Sequence, residues 1–438
     1  MSWQVSTYRN VSRSLVAALV LANLVALCIE MGLGWDFANF YDAGSKVAAG
    51  EASNLYDPEA LIAGQAPQGY MVFVGTPLSA VLYTPLALLS PRAALFAFKL
   101  QNALAYLAGL WLLFRHCRRY APQSETRQAR FAALFAVLLL VYQPLWTVYR
   151  VGGQTTPTIF LLLVVGWLLH ERGRLWGSAA ALVLVVAIKP AFILMLALLA
   201  LISGRAFLLR SAVLGLGAAL LSIAVLGWPL NRTFLDLAVQ LSNHSTAWAY
   251  NSAVTVPIES LHLAWTPDAT VPRPAGLALA VFAVRLAVVG FFAWLVFTSR
   301  RQGWSEPVRR HFDWPIAIVF CLMAAPVVWE HYLAFLFIPL AFVAANEERI
   351  SRLAFRLALL AVILAVFQNL VVVLWLWDQL ISAPWPVHVA VAVLKASPLL
   401  LMLTLLARHQ RGILASFAFI PSQPAASDRL QGSVRSVG

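Results

Sequence analysis

The chain is short of charge. Only 11% of its 438 residues are Asp, Glu, Lys or Arg, against about 25% in a soluble domain. Cysteine is scarce as well. Cys28, Cys117 and Cys321 have neither zinc spacing nor the makings of a disulfide framework. The sequence also lacks a Walker loop, a dinucleotide fingerprint and a nucleophile elbow. An activated substrate would therefore have to be lipid-linked and reach the protein from the bilayer.

What is abundant is apolar. Hydrophobic residues make up 61% of the chain and the mean hydropathy is +0.79, which predicts an all-α polytopic membrane protein. A net charge of +13 would suggest nucleic acid in a soluble chain. Here the basic residues sit in short loops between apolar runs, which points to membrane orientation and no nucleic-acid partner. With about 20 apolar residues per span, and fewer beside a cavity, about twelve spans are expected. They fall near 14–33, 92–114, 131–148, 155–169, 175–188, 191–204, 211–229, 275–298, 314–328, 333–346, 353–377 and 387–407. Residues 14–33 have Arg9 and Arg13 before them and no small-residue cleavage site after them, so they read as an uncleaved first span. Thr76–Ser90 is short and broken by Pro77 and Pro85, and reads as an interfacial or re-entrant element.

Charge bookkeeping supports this topology. With both termini in the cytoplasm, the inner segments collect 22 of the 31 Lys and Arg residues, and the outer segments hold 11 of the 18 acids. Counting Thr76–Ser90 as a crossing would invert everything downstream and break the positive-inside rule. The reading is one membrane domain over residues 1–411, with long outer loops at 34–91 and 230–274. A Ser-, Ala-, Pro- and Gln-rich tail, 412–438, is expected to be disordered on the inner side. Long loops on a rigid scaffold carry function, so the outer face is the expected working face.

Asp36 opens the first of these loops. If 36–49 is a helix ended by Gly50, one face carries Phe37, Phe40, Tyr41, Gly44, Val47 and Ala48, and the other Asn39, Asp42, Ser45 and Lys46. Asp36 lies at the edge of the apolar face. It can cap the helix, point a carboxylate into the bundle, or do both. Lys99, Lys189, Arg285 and Lys395 lie at membrane depth, where a charge normally faces a cavity or a partner. Lys189 precedes Pro190 between two short segments, as in a broken hairpin presenting its ammonium to an anion. For Lys99 and Lys395, snorkelling to a headgroup competes with that reading. Trp329-Glu330-His331-Tyr332 follows Pro326 at a membrane boundary; its aromatics suit an interfacial belt, and His331 can bond or titrate. Gly152-Gly153-Gln154 reads as a tight outer turn, with Gln154 able to line a polar cavity. The second outer loop, which contains Asn251, mixes Asn, Ser, His and aromatics, a combination suited to sugar hydroxyls and sugar faces.

Taken together, these motifs resemble glycosyltransferase family 87, one of the multi-span C-type glycosyltransferases. The resemblance covers about residues 30–345. It rests on Asp36, Tyr41, Gly50 and Leu55-Tyr56-Asp57; on Gly75-Thr76-Pro77 and Pro85-Leu86, a degraded form of a proline-rich element; on Gly153-Gln154 and Lys189-Pro190; and on Pro326 with Trp329-Glu330-His331-Tyr332. It implies a C-type fold with outer-face interfacial helices. The implied activity is transfer of a sugar, commonly mannose, from a polyprenyl-phosphate donor to a lipid or glycan acceptor on the outer face, with inversion. By resemblance Asp36 is the base and His331 an alternative base, while Lys189 and Arg285 neutralise the departing phosphate. Tyr41, Gln154, Trp329, Glu330 and Asn251 are assigned to substrate. No metal or other cofactor is expected. The competing reading is a transporter or flippase for a lipid or small anion; the missing internal repeat counts against it.

Overall fold

The computed structural model describes residues 2–28, 35–57, 73–121, 124–146, 153–245, 251–262, 271–303, 306–347, 351–365 and 382–418. These residues are mostly helical. In chain order the helices are α1 (Ser2–Cys28), α2 (Trp35–Ala48), α3 (Pro77–Ala87), α4 (Pro91–Arg118), α5 (Glu125–Val141), α6 (Thr156–Glu171), α7 (Leu175–Ile188), α8 (Ile193–Ile202), α9 (Arg205–Leu226) and α10 (Trp228–Asn243). They continue with α11 (Val256–His262), α12 (Ala275–Arg301), α13 (Glu306–Ala324), α14 (Phe337–Ala345), α15 (Arg352–Leu364) and α16 (Trp385–Ala418). Two short strands, β1 (His244–Ser245) and β2 (Val271–Pro272), pair antiparallel.

Among the described residues, four helices are long and apolar enough to cross a membrane: α4, α9, α12 and the Trp385–Ala407 part of α16. Several expected spans are shorter. α7 and α8 are apolar helices of 14 and 10 residues separated by a 3-10 turn at Pro190–Phe192, which is the broken hairpin expected there. The expected element at Thr76–Ser90 is α3, with 11 residues, Pro77 at its start and the Thr76 hydroxyl capping the Ser79 N–H. At 1.5 Å per residue it is about 16 Å long, half the thickness of a bilayer core.

The second long loop is more structured than expected. Its first part is α10, whose Leu230 and Leu237 are buried in a cluster with Phe37, Leu55, Tyr56 and Tyr83. Hence α10 covers part of the cluster that α2 and α3 share, while α11 packs on α16. At the other end of the sequence, α16 runs past Gly412 to Ala418. The rest of the expected tail and the second half of the expected 353–377 span lie outside the described residues.

The main core gathers around α6, α13 and α14, where Trp167, Trp314, Phe335 and Phe337 are fully buried. α9 shows the opposite pattern, with Leu209, Val213, Leu216, Leu220 and Leu221 exposed on the protein surface. A helix apolar all round with a bare outer face is suited to lipid. Since lipid tails are as apolar as Leu, the buried core gains from close van der Waals packing rather than from escape from water.

Candidate active site

The site begins at the first turn of α2, which carries Asp36. The next residue anchors it. Phe37 is fully buried and its ring meets Phe98 at 5.3 Å, while Phe40 stacks on Tyr83 at 4.8 Å. Gly44 lets α3 come close, because a Cβ there would stand 2.6 Å from the Tyr83 carbonyl oxygen. The outward face was expected to carry Asn39, and the apolar face Ala48. The structure reverses both: Asn39 is buried and Ala48 exposed, with α3 packed along α2 and α4 against its start. Asp42 does face water, paired with Lys46 at 2.8 Å.

Phe37 also meets the turn before α6. Gly153 has φ of 86°, a left-handed conformation that favours glycine, and a Cβ on it would lie 2.6 Å from the Phe37 Cβ. This close approach sets Gln154 beside Asp36, and the Gln154 side chain hydrogen-bonds the Asp36 carboxylate. As that carboxylate is an acceptor, the amide nitrogen donates. The amide oxygen then accepts from Lys189 Nζ at 3.3 Å. Behind Gln154, its backbone carbonyl accepts from Asn102 Nδ2 at 3.1 Å, and Asn102 Oδ1 accepts from Thr158 Oγ1 at 2.9 Å. Thr158 and Gln101 also line an apolar groove of about 640 Å³ between α4 and α6, together with Leu100, Leu104 and Leu161.

Lys189 is placed by a helix break. A residue before proline is pushed out of the α region; Lys189 has φ −132° and ψ 95°, ending α7 where Pro190 starts the 3-10 turn. The degraded proline element supports this end of α7, since the Thr76 hydroxyl donates to the Ala187 carbonyl at 2.5 Å. Lys189 Nζ sits 4.4 Å from the centroid of the Tyr332 ring, a cation–π contact. Tyr332 belongs to the 3-10 segment Glu330–Leu336, and its ring meets His331 edge-on at 4.7 Å. His331 is buried within electrostatic reach of Lys189, and its Nε2 has no hydrogen-bond partner.

Distant parts of the sequence thus bring together Asp36, Gln154, Lys189, His331 and Tyr332. Burial pushes the Asp36 pKa above the ordinary carboxylate range, and the Lys189 charge and the Gln154 hydrogen bond oppose that push. The result suits a group that must be ionised at rest and still take a proton. The ammonium alongside suits an anion such as a phosphate.

Other expected site residues lie elsewhere or serve the scaffold. The Tyr41 hydroxyl donates to the Leu89 carbonyl at 2.9 Å. Asn251 is buried, and its Oδ1 accepts from the Ala253 and Val328 N–H groups at 3.0 and 2.9 Å. It also bridges to Trp329, clipping the second loop to the segment that carries His331. Glu330 forms a buried ion pair with Lys395 at 2.9 Å, so Lys395 does not snorkel. Arg285 sits among other charges, near Arg273 and Glu259, which pair at 2.8 Å.

Among known families, the model for glycosyltransferase family 87 matches residues 73–326. The chain belongs to this family. No curated protein matches the chain. The transferase assignment decides against the transporter reading. The matched stretch contains Gln154, Lys189, Asn251 and Arg285 but stops short of Asp36 and His331, so those two enter the site on geometry and on the motifs alone.

Sequence reasoning treated Tyr332 as a belt residue, yet its ring lies under Lys189; a Lys-Pro break facing an aromatic-rich motif was the available signal. It missed Asn102 and Thr158 altogether, since a buried amide within an apolar helix has no distinctive spacing. A second cluster of polar side chains was also invisible in the sequence. At the far end of α6, Glu171 meets His116, Tyr120 and His311.

Proposed function

We propose that this membrane transferase moves a sugar, in the first instance mannose, from a polyprenyl-phosphate donor to a hydroxyl of a lipid or glycan acceptor. The observation that carries the proposal is Gln154 bridging an ionisable carboxylate, Asp36, and an ammonium, Lys189. An inverting single displacement needs that pair. As the acceptor oxygen bonds to C1, its proton passes to Asp36 and the bond from C1 to the phosphate oxygen breaks. The phosphate leaves with its charge held near Lys189. His331, with a buried, unpartnered nitrogen, orients donor or acceptor. The apolar groove between α4 and α6 would receive part of the isoprenoid chain, and no nucleotide or metal cofactor enters the transfer step.

The topology that accompanies this reading has about twelve spans, cytoplasmic termini and the site at the outer face among interfacial helices. The deciding experiment reconstitutes the full chain in liposomes with polyprenyl-phosphate mannose and a lipid acceptor, and compares it with Asp36→Asn. Transfer by the wild type and near-silence of the variant are expected. Equal turnover by the variant would remove Asp36 as base. Activity only with other donors would reject the sugar or the lipid carrier.

A further inference from the structure

We propose that His116, Glu171, His311 and Tyr120 form a structural zinc site at the end of the bundle opposite Asp36. His116 stands in the last turn of α4, Glu171 is the last residue of α6, and His311 lies in the second turn of α13. Tyr120 follows the end of α4. Both imidazoles aim at one carboxylate oxygen: His116 Nε2 is 3.0 Å and His311 Nδ1 2.5 Å from Glu171 Oε1. The Tyr120 hydroxyl is 3.1 Å from His116 Nε2, 2.8 Å from His311 Nδ1 and 3.1 Å from both Glu171 oxygens. Four donor atoms from four side chains therefore surround one point. The ligand atoms of the two histidines and Glu171 all lie within 4.8 Å of one another.

The chemistry of this donor set selects the metal. Two imidazole nitrogens, a carboxylate oxygen and a fourth oxygen are a tetrahedral zinc set. Magnesium and calcium want more oxygens than the cluster offers. With metal–ligand distances of about 2.0–2.1 Å, tetrahedral geometry puts neighbouring ligand atoms about 3.3 Å apart. The observed 2.5 and 3.0 Å reach that value through small side-chain rotations, without moving a helix. Arg119 lies close enough to be felt at Tyr120. Its charge works against a bound cation, which would have to be held by imidazole coordination.

The location makes the site structural. α6 has 16 residues, so Glu171 lies about 24 Å along the helix from the Gln154 end. A metal there cannot touch a sugar donor at Asp36. Instead it ties the ends of α4, α6 and α13, and the other end of α6 lies beside Gln154. The Tyr120 oxygen as fourth ligand would close the coordination sphere, as in structural zinc sites.

The test uses the untagged full chain in detergent, stripped with a chelator and then titrated with zinc alone. One zinc per chain by elemental analysis and a melting temperature raised by several degrees are expected, because binding to the folded state stabilises it. His311→Ala, at the more exposed edge of the cluster, should lose at least nine-tenths of the bound zinc, and Glu171→Gln the same. A wild-type chain that takes up no stoichiometric zinc would overturn the proposal, whether or not the variants fold. So would zinc retained in full by His311→Ala, or a melting temperature indifferent to zinc alongside variants that merely melt lower, which is how a plain hydrogen-bonded network behaves.

Discussion

Lys189 donates to Gln154 Oε1 at 3.3 Å, and the same amide turns its nitrogen to Asp36. One neutral side chain thereby satisfies a cation and an anion and fixes the amide orientation, because the reverse flip would set a donor against the ammonium. Gln154→Leu has nearly the same shape and removes both bonds. With hydrogen bonds to charged groups contributing about 1.5–3 kcal/mol each, loss of both should lower turnover by about two to four orders of magnitude. Gln154→Glu should do no better, since it places a second carboxylate beside Asp36. Steady-state kinetics on the two variants checks this; Gln154→Leu turning over at the wild-type rate would mean the bridge plays no part in the reaction.

The electrostatics of Asp36 give a pH dependence with a definite sign. A general base works only when ionised, so activity is present above the Asp36 pKa and lost as the pH falls through it. Burial has raised that pKa and Lys189 holds it down, so the acid limb of kcat/KM should lie above the usual carboxylate value of about 3.9. Lys189→Met removes the opposing charge, and its acid limb should move to higher pH, with a lower plateau because the leaving phosphate loses its partner. Lys189→Arg should keep the limb near its wild-type position. A pH–rate profile of the three proteins measures this, and an acid limb that stays put in Lys189→Met would separate Asp36 from the rate.

Much of this site could be read in the sequence because its residues break a local pattern. An acid starts an amphipathic helix at Asp36, and a lysine precedes a proline inside an apolar run at Lys189. His331 sits in a polar pair at a membrane boundary. Each is costly where it stands, and the cost points to a partner. The faces of α2 were only half legible, since Asn39 is buried by neighbours that helical phase does not reveal. The second loop was misjudged for a similar reason. Its polar residues hid the apolar stripe with which α10 covers part of the cluster that α2 and α3 share. The His116–Glu171–His311 cluster left no trace, as its members are 55 and 140 residues apart and meet only when three helices end at the same level.

The buried pair Glu330–Lys395 offers a test of what holds His331. Both side chains are nearly inaccessible, at 3% and 2% exposure, and 2.9 Å apart. Removing one partner strands the other charge, which typically costs 3–5 kcal/mol, whereas replacing both by apolar groups of similar volume is close to neutral. Lys395→Met and Glu330→Met should each lower thermal stability sharply, and the double variant should recover most of it. Activity of the recovered double variant then separates two roles for Glu330. Near-normal turnover makes the pair a support for the His331 segment, while turnover lost despite recovered stability gives Glu330 a direct part in binding substrate.

Gly153 carries the strictest geometric demand in the site. Its φ of 86° and the 2.6 Å from a built Cβ to the Phe37 Cβ are separate obstacles to any side chain. The backbone term alone costs about 1–3 kcal/mol, and the contact forces either α2 or the turn before α6 to move. Since Phe37 is next to Asp36 and Gly153 next to Gln154, that movement separates the two groups whose hydrogen bond organises the site. Gly153→Ala should therefore lose more in kcat than in KM, because a displaced base weakens the transition state more than it weakens donor binding. A companion substitution, Phe37→Gly, removes the Cβ that the new methyl would strike and should restore part of the lost kcat in the double variant despite its own cost in packing. Kinetics on the two single variants and the double variant give the coupling. Strict additivity would show that the Gly153–Phe37 approach does not set the distance between Asp36 and Gln154.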